Sequence, residues 1–562
     1  MAGLLATGAC SDVEPAKPAV AAKFATEFVA VDLAAATPAP VKLAVMACAG
    51  LKNRKLGGSV YVKLAAHDQP WFDDLQLQPK TTLTVSSFVS ACAKEFPTCV
   101  RYAYKDQQAL LPSILTAAAA LGGLPVDRTE SGGVPCSAPA FDALAALKDH
   151  NTPGLATKYV FDKFGDKTTG LAMLNPGYDL NAKDQAHPAI TRDMGPELVD
   201  FVFAQKLFVV FLVNGCRDGD PERQVLSAIV NSGRWPTPLG VYGYNNSWNV
   251  GGFVYEAQTR CLESRNMGAI PTETGNLAFW SSRTAPVTEA TRPAGNPPEK
   301  ITYDATKTYV AFIVGDGDNV AYLMTARRDW FKQRLADCGA PNGVCPALTW
   351  SLSPHIPHLA PDVMRWYYQA ARTTGKDFFV LPPSGHFYAY PASLGAKDQA
   401  QFAAATEADA RVLGVRGTVH WEWFESWHAA EDDYLPRYAS AKGPVRGVFP
   451  VNVPYMVPMF DWWPPAQFFR VLNGADGGKV ALFKPREWRG VDGSDDQFYP
   501  TPKTLAKQLG DHPKGTVTWV YMTSDGGLTL QNSFVELAKL LPEHVQLVSA
   551  DAASELALAA GK

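Results

Sequence analysis

Three short stretches of the chain concentrate side chains able to move protons. The first is Gly315-Asp316-Gly317-Asp318-Asn319, directly after the apolar run Tyr309–Val314. In an extended segment, residues two apart point to the same side, about 6.6–6.8 Å from one another along the strand. Asp316 and Asp318 would then share a face, and the flanking glycines permit unusual backbone angles and close approach of a ligand. Such a pair suits proton or sugar-hydroxyl handling, or a divalent cation held together with Asn319. A tight turn capped by the Asp and Asn side chains is the plainer alternative. An EF-hand is excluded, because Val320 and Ala321 stand where a ligand and a glycine are required. The second stretch is His420-Trp421-Glu422-Trp423-Phe424-Glu425. Rings on both sides of Glu422 would desolvate its charged form and raise its pKa, the condition for a general acid in glycoside hydrolysis. A rim salt bridge is the other use for Glu422, and Glu425 is the weaker candidate. The third stretch, Thr523-Ser524-Asp525-Gly526, offers Asp525 as base or nucleophile, or as an ordinary turn residue.

Around these acids lie groups suited to sugars. His386, Tyr388, Tyr390 and Trp421 could line subsites, and Asn319, Glu425, Lys484 and Arg486 could bind hydroxyls. His355 and His358 fit a loop better than a ligand set, and the acidic loop 492–496 fits a solvated surface better than calcium. No GxSxG elbow or HExxH helix supports a serine esterase or zincin. No GxGxxG follows the first strand of the second half and no P-loop occurs, so neither a cofactor nor a resident metal is expected.

These groups gain a common geometry only if the elements before them do. Apolar, β-branched runs recur at Tyr309–Val314, Ala347–Leu352, Asp377–Leu381, Gly417–Trp421, Val445–Val451, Lys479–Phe483, Thr516–Tyr521 and Val545–Val548. Helix-compatible stretches separate most of them, among them Pro361–Arg372, Asp398–Leu413, Thr501–Leu509 and Gln531–Leu541. This pattern predicts an α/β fold with a C-terminal (β/α)8, TIM-like barrel over residues 300–562, the acids and rings at the carboxyl ends of its strands. An open doubly wound sheet has the same local pattern. Ahead of it, residues 41–135 and 136–299 mix short strands with helices, as small α/β modules do. The second of these stretches ends in the Pro-rich linker 292–300. Residues 1–40 are expected to be a signal remnant and flexible lead-in.

Composition narrows the class further. Hydrophobic residues make up 47% of the 562 and charged residues 19%, enough apolar side chain for large cores and too few charges for a disordered chain. A net charge of −4 lacks the basic excess that nucleic-acid binding demands. The start, Leu-Leu-Ala-Thr-Gly-Ala-Cys10, is similar to the tail of a bacterial lipoprotein signal, with Cys10 as the lipid attachment point; a frayed terminus with an incidental cysteine competes with it. The other eight cysteines are an even number, permissive for disulfides in an oxidising compartment. Cys92/Cys99 and Cys338/Cys345 are close enough to close short loops, and no CxxC suggests zinc. Buried free thiols are the alternative.

The stretch Gly385-His386-Phe387-Tyr388-Ala389-Tyr390-Pro391 resembles the signature of the GxGYxYP glycoside hydrolase family, with Phe387 in place of the second glycine. Asp316-Gly317-Asp318-Asn319 resembles the DGDN segment that opens the family's catalytic-like domain. Gly50-Leu51 with Asn53-Arg54-Lys55 and Val60-Tyr61-Val62 resembles its first module, and 200–211 with 237–244 its third. The resemblance implies a barrel behind small α/β modules in a secreted or envelope-attached bacterial protein that acts on carbohydrate. It assigns no catalytic pair, and Phe387 removes the backbone freedom a glycine would give that loop. The expected activity is hydrolysis of a poly- or oligosaccharide, with Glu422 as acid and Asp318, Asp525 or Asp316 as partner. A non-catalytic glycan-binding envelope protein and a metal-dependent hydrolase centred on Asp316 and Asp318 are the alternatives.

Overall fold

The computed structural model describes residues 23–64, 68–179, 188–243, 266–341, 343–451, 460, 462–493, 498–523 and 527–561. Strands of three to five residues survive only when neighbours supply both ladder and cover, and the first half is assembled in this way. β1 (Val29–Asp32), β2 (Val60–Lys63) and β3 (Thr81–Thr84) form a parallel sheet in the order β2-β1-β3. β1 is therefore the central strand of a sheet, which overturns the flexible lead-in expected up to residue 40. Its four residues, set among Ala and Pro, were too short to show. β4 (Cys99–Tyr102), β5 (Leu124–Asp127) and β6 (Phe141–Asp142) make a second parallel sheet, β5-β4-β6. A third, β10-β9-β7-β8, holds β7 (Leu171–Met173), β8 (Phe208–Val210), β9 (Leu239–Tyr242) and β10 (Met267–Ile270).

Disulfides staple this half. Cys48 pairs with Cys92 and Cys99 with Cys136, so the expected Cys92/Cys99 loop does not form. Cys92 instead reaches the helix Ala39–Lys55 from the helix Val85–Glu95. In the second half Cys338 and Cys345 do pair; Cys216, in the first half, is also disulfide-bonded.

All eight predicted runs of the second half are strands: β11 (Thr308–Val314), β12 (Leu348–Ser351), β13 (Asp377–Val380), β14 (Gly417–Trp421), β15 (Gly447–Val451), β17 (Lys479–Phe483), β19 (Val517–Met522) and β20 (Val545–Val548). Two more, β16 (Phe469–Asn473) and β18 (Glu487–Trp488), join them. Among the described residues their ladders form two sheets and not one closed barrel. One sheet runs β13-β12-β11-β19-β18, with β20 also on β11; the other runs β14-β15-β17-β16. Among the described residues a single bridge, Leu381 to Thr418, connects them on one side. On the other side the edge of β17 is taken by β16, its antiparallel partner from Phe469/Phe483 to Asn473/Lys479. Among the described residues no ladder joins β16 or β17 to β18 or β19. The result is a mixed α/β protein with mainly parallel sheets.

The two sheets nonetheless face one core. Tyr309, Ala311 and Ile313 of β11, Val419 of β14, Phe449 of β15, Phe483 of β17 and Trp519 of β19 are packed together with the C-terminal helix Ala550–Ala560. Phe449 stacks on Phe483 at 4.8 Å and meets Trp519 edge-on at 5.3 Å, spanning the unladdered side. Buried Asp377 of β13 accepts from Arg334 at 3.0 Å and from the indole of Trp350 in β12 at 2.8 Å. That locks the helix Ala326–Gly339 against the strands whose ends carry the candidate chemistry. No helix among the described residues is long and apolar enough to cross a membrane.

Candidate functional site

β11 is apolar and buried on both faces and ends at Val314. The chain then turns instead of staying extended: Asp316 adopts the left-handed region, with φ of 56°. The shared face expected from strand spacing is thus replaced by a turn, and each part of it is pinned. The Asp316 N–H donates to the Tyr521 hydroxyl at 3.2 Å and the Gly317 N–H to Ser351 Oγ at 2.9 Å. A Cβ at residue 317 would lie 1.9 Å from the Ser351 carbonyl oxygen, so only glycine fits. Buried Arg327 donates to the carbonyl oxygens of Ser351 and Gly315 from a nest of Tyr322, Trp330 and Trp350 rings. A non-glycine residue held at positive φ by this many contacts is the kind of local strain that collects at functional sites.

The electrostatics follow from that packing. Burial, then the neighbouring charge of Asp316, push the Asp318 carboxyl up to about 7, with Arg327 opposing. Near neutral pH Asp318 is therefore divided between acid and base forms. Asn319 does something different from the ligand role considered for it. Its side-chain oxygen accepts from the Tyr322 N–H at 3.0 Å and caps the helix Val320–Met324. The next N–H, of Val320, donates to the Pro271 carbonyl at 2.9 Å.

The segment 269–271 that receives this turn also receives the aromatic loop. Ala269 and Tyr388 exchange two backbone bonds of 3.1 Å, only two residues, about 7 Å of extended chain, from Pro271. Tyr388 meets Trp421 edge-on at 4.9 Å, and Tyr390 lies 6.5 Å from Trp423. With Ala269 these rings form a small separate cluster. Gly385 takes positive φ, 93°, but Phe387 does not. The phenyl is accommodated by β9 and β10, where Gly240 and Gly268 leave the room it occupies.

Glu422 turns away from Trp421. It is fully buried and faces the helices with His420. Its Oε1 accepts from the Ala392 N–H at 2.8 Å and lies 2.9 Å from His420 Nε2, and Oε2 lies 3.2 Å from Ser426 Oγ. Burial pushes its carboxyl well above the usual range and the His420 imidazole down to about 3. Glu422 therefore ties down the residue that follows Pro391, and no surface of it meets solvent. Arg486 also points outward, paired with Gln508 of the helix Pro502–Gly510, and burial lowers it to about 10. Glu425 is exposed and Lys484 half-buried. Asp525, Cys10 and residues 494–496 lie outside the described residues.

The turn at 315–319 and the loop at 385–391 thus meet on one segment, in the order a single domain profile contains them. Residues 306–455 match the GxGYxYP putative glycoside hydrolase C-terminal domain. A crystal structure of a putative hydrolase from Bacteroides thetaiotaomicron VPI-5482 has a similar fold, with a TM-score of 0.69 at 17% identity over 97% of each chain. No curated protein matches the sequence.

Two further features escaped the reading of the sequence. Glu273, just beyond β10, shares a cleft of about 550 Å³ with Asn319, Tyr322, Glu197, Tyr61 and Trp280. Asp409, inside the Ala-rich helix Ala396–Leu413, places Oδ2 2.5 Å from His386 Nδ1. Both sit where the first half covers the ends of β11–β13, a seam that strand periodicity does not encode. Among the described residues no group of three or more His, Cys, Asp or Glu side chains is placed to hold a metal ion.

Proposed function

We propose that this chain hydrolyses a glycosidic bond of a poly- or oligosaccharide, with Asp318 as the group that delivers the proton to the leaving oxygen. The observation that carries the reading is the rigid turn that holds Asp316 and Asp318 at the end of β11, on the same segment that anchors the Tyr388–Trp421 ring pair. A carboxyl poised near 7 by burial and a like charge is protonated often enough at neutral pH to act as an acid. Asp316, and by its place in the sequence Asp525 just beyond β19, are the partners for base or nucleophile. The rings would stack on sugar faces. Glu422 moves from acid to a positioning role beneath the aromatic loop. The match to a family described as glycoside hydrolases supports the substrate class.

The two sheets with their shared core are read here as an opened relative of the (β/α)8 barrel, preceded by modules of which the first begins before residue 41. Three defined disulfides and the bonded Cys216 support an oxidising compartment, secreted or at the cell envelope, with Cys10 as a lipid anchor.

The test is release of reducing ends from a panel of polysaccharides and oligosaccharides by the full chain. Asp318→Asn should lower kcat/KM by about 100-fold or more, with an unchanged melting temperature, and EDTA should leave the rate as it was. Binding without release for every substrate would make this a glycan-binding protein. Loss of activity to EDTA would return Asp316 and Asp318 to a metal.

A further inference from the structure

The cleft of about 550 Å³ that holds Glu273 is built by both halves of the chain. In the first sheet, β1 leads through the helix Ala39–Lys55 to β2 on one side of it, and β3 later pairs on the other. The crevice beyond the carboxyl ends of parallel strands, where their order reverses in this way, is the usual place for a ligand. Leu33 and Ala35, just after β1, and Leu64, just after β2, line the cleft. The turn and helix that follow Asp318 add Asn319, Tyr322 and Thr325. Hydrogen bonds tie these segments together. The Trp71 indole donates to the Met324 carbonyl at 2.6 Å, and the Val320 N–H donates to the Pro271 carbonyl, two residues before Glu273. The Asn276 side chain bonds both the N–H and the carbonyl of Val62 at 2.7 Å.

Building on the glycosidic hydrolysis proposed above, we infer that this cleft binds a short oligosaccharide of uncharged sugars, with Glu273 accepting from their hydroxyls. The volume lies within the roughly 300–1,000 Å³ of small-molecule sites. It is several times the roughly 150 Å³ that holds benzene, so more than one sugar ring fits. Polar side chains are spread through the lining: Lys42, Glu197, Glu273 and Thr274 join Asn319 and Thr325. Successive hydroxyls can therefore be paired as they leave water. Tyr61 and Trp280, edge-on to each other at 5.8 Å, and half-buried Tyr322 supply apolar surface for sugar C–H groups. Charge selects against acidic sugars. Two carboxylates, Glu197 and Glu273, stand against one ammonium, and Lys42 Nζ already donates to the Ala35 carbonyl at 2.9 Å. A uronate in the cleft would meet net negative charge.

Binding is measured by calorimetry on the full chain carrying Asp318→Asn, which keeps any probe from being consumed. The probes are maltotriose, cellotriose, xylotriose, mannotriose and triacetylchitotriose, with trigalacturonate as the acidic counterpart. At least one neutral trisaccharide should bind, and trigalacturonate at least tenfold more weakly. Glu273→Gln should weaken the neutral probe about tenfold, through loss of a hydrogen bond to a charged acceptor. Ala35→Trp, at an exposed loop position, should plug the cleft and remove binding with the melting temperature unchanged. Reducing-end release by chains that keep Asp318 separates the cleft from the reaction. Binding that Ala35→Trp removes, with no turnover by the parent, leaves the cleft standing and sinks the hydrolase. Parent turnover that survives Ala35→Trp keeps the hydrolase and overturns the cleft. Failure of every neutral probe to bind, or equal binding of trigalacturonate, overturns it as well.

Discussion

At the scale of single residues, Glu422 shows how environment decides what a carboxyl is for. Flanking rings suggest an acid at a rim, and burial does push the carboxyl well above the usual range, but inside an enclosure with His420, Ser426 and the Ala392 N–H. A protonated Oε2 can donate to Ser426 Oγ, which is then free to donate to the Trp423 carbonyl at 2.9 Å. A glutamine satisfies the same three partners without charge. Glu422→Gln should therefore unfold in urea within about 1 kcal/mol of the parent. Glu422→Ala strands the Ala392 and His420 donors and leaves a void, at a cost of about 3 kcal/mol or more. Equal losses for both variants would mean that the buried group is ionised.

At the scale of elements, the replacement of the motif's second glycine by Phe387 has a counterpart in the strands beneath it. A Cβ on Gly268 of β10 would lie 2.3 Å from the Phe387 Cβ, and one on Gly240 of β9 would lie 2.9 Å from its ring. Gly268→Ala should cost about 2 kcal/mol as overpacking. In a Phe387→Gly background the clash partner is gone, and the same change should cost less than about 1 kcal/mol. Thermal or urea unfolding of the four proteins closes that cycle; strict additivity would show that the phenyl and Gly268 do not share the space. None of this was visible in the sequence, where residues 240, 268 and 387 are unconnected. The eight main strands were visible, because each is a buried β-branched run bounded by turn residues. How their edges pair was not: hydrophobic period reports which face is buried, never which edges pair, and among the described residues the edge of β17 is taken by β16. The site divides the same way. Asp316 and Asp318 announced themselves by spacing within five residues, whereas Asp409 is 23 residues from the His386 it orients and looks like any polar face of an alanine-rich helix.

At the scale of the whole molecule, stability is coupled to pH through carboxyls and imidazoles buried at the joints between sheets. Asp200, 1% exposed in the helix Val199–Gln205, accepts from the Ala278 N–H at 2.8 Å while its carbonyl abuts Gly50 of the helix Ala39–Lys55. Burial raises its carboxyl from 3.8 to about 7, and burial likewise raises Asp551 to about 7. With a folded pKa above the unfolded one, the native state keeps a proton that the unfolded chain has lost between about pH 4 and 7. Folding stability falls with rising pH across that window and levels off above it. Buried His420, lowered to about 3, has the opposite sign: the native state stays neutral while the unfolded chain takes up a proton, so stability falls as pH drops from about 6.5 toward 3. The two families of groups partly cancel in the parent protein, which is why a single variant is the sharper probe. Asp200→Asn mimics the protonated acid at every pH. Relative to the parent it should gain about 1.4 kcal/mol per pH unit between about pH 4 and 7, up to about 4 kcal/mol, and no more beyond. Urea midpoints measured at pH 4, 5.5, 7 and 8 would show the two curves diverging and then running parallel. Curves parallel throughout would mean that Asp200 reaches water or a cation in the folded chain, and that the junction of the helices it sits between is looser than the packing of Gly50 against its carbonyl implies.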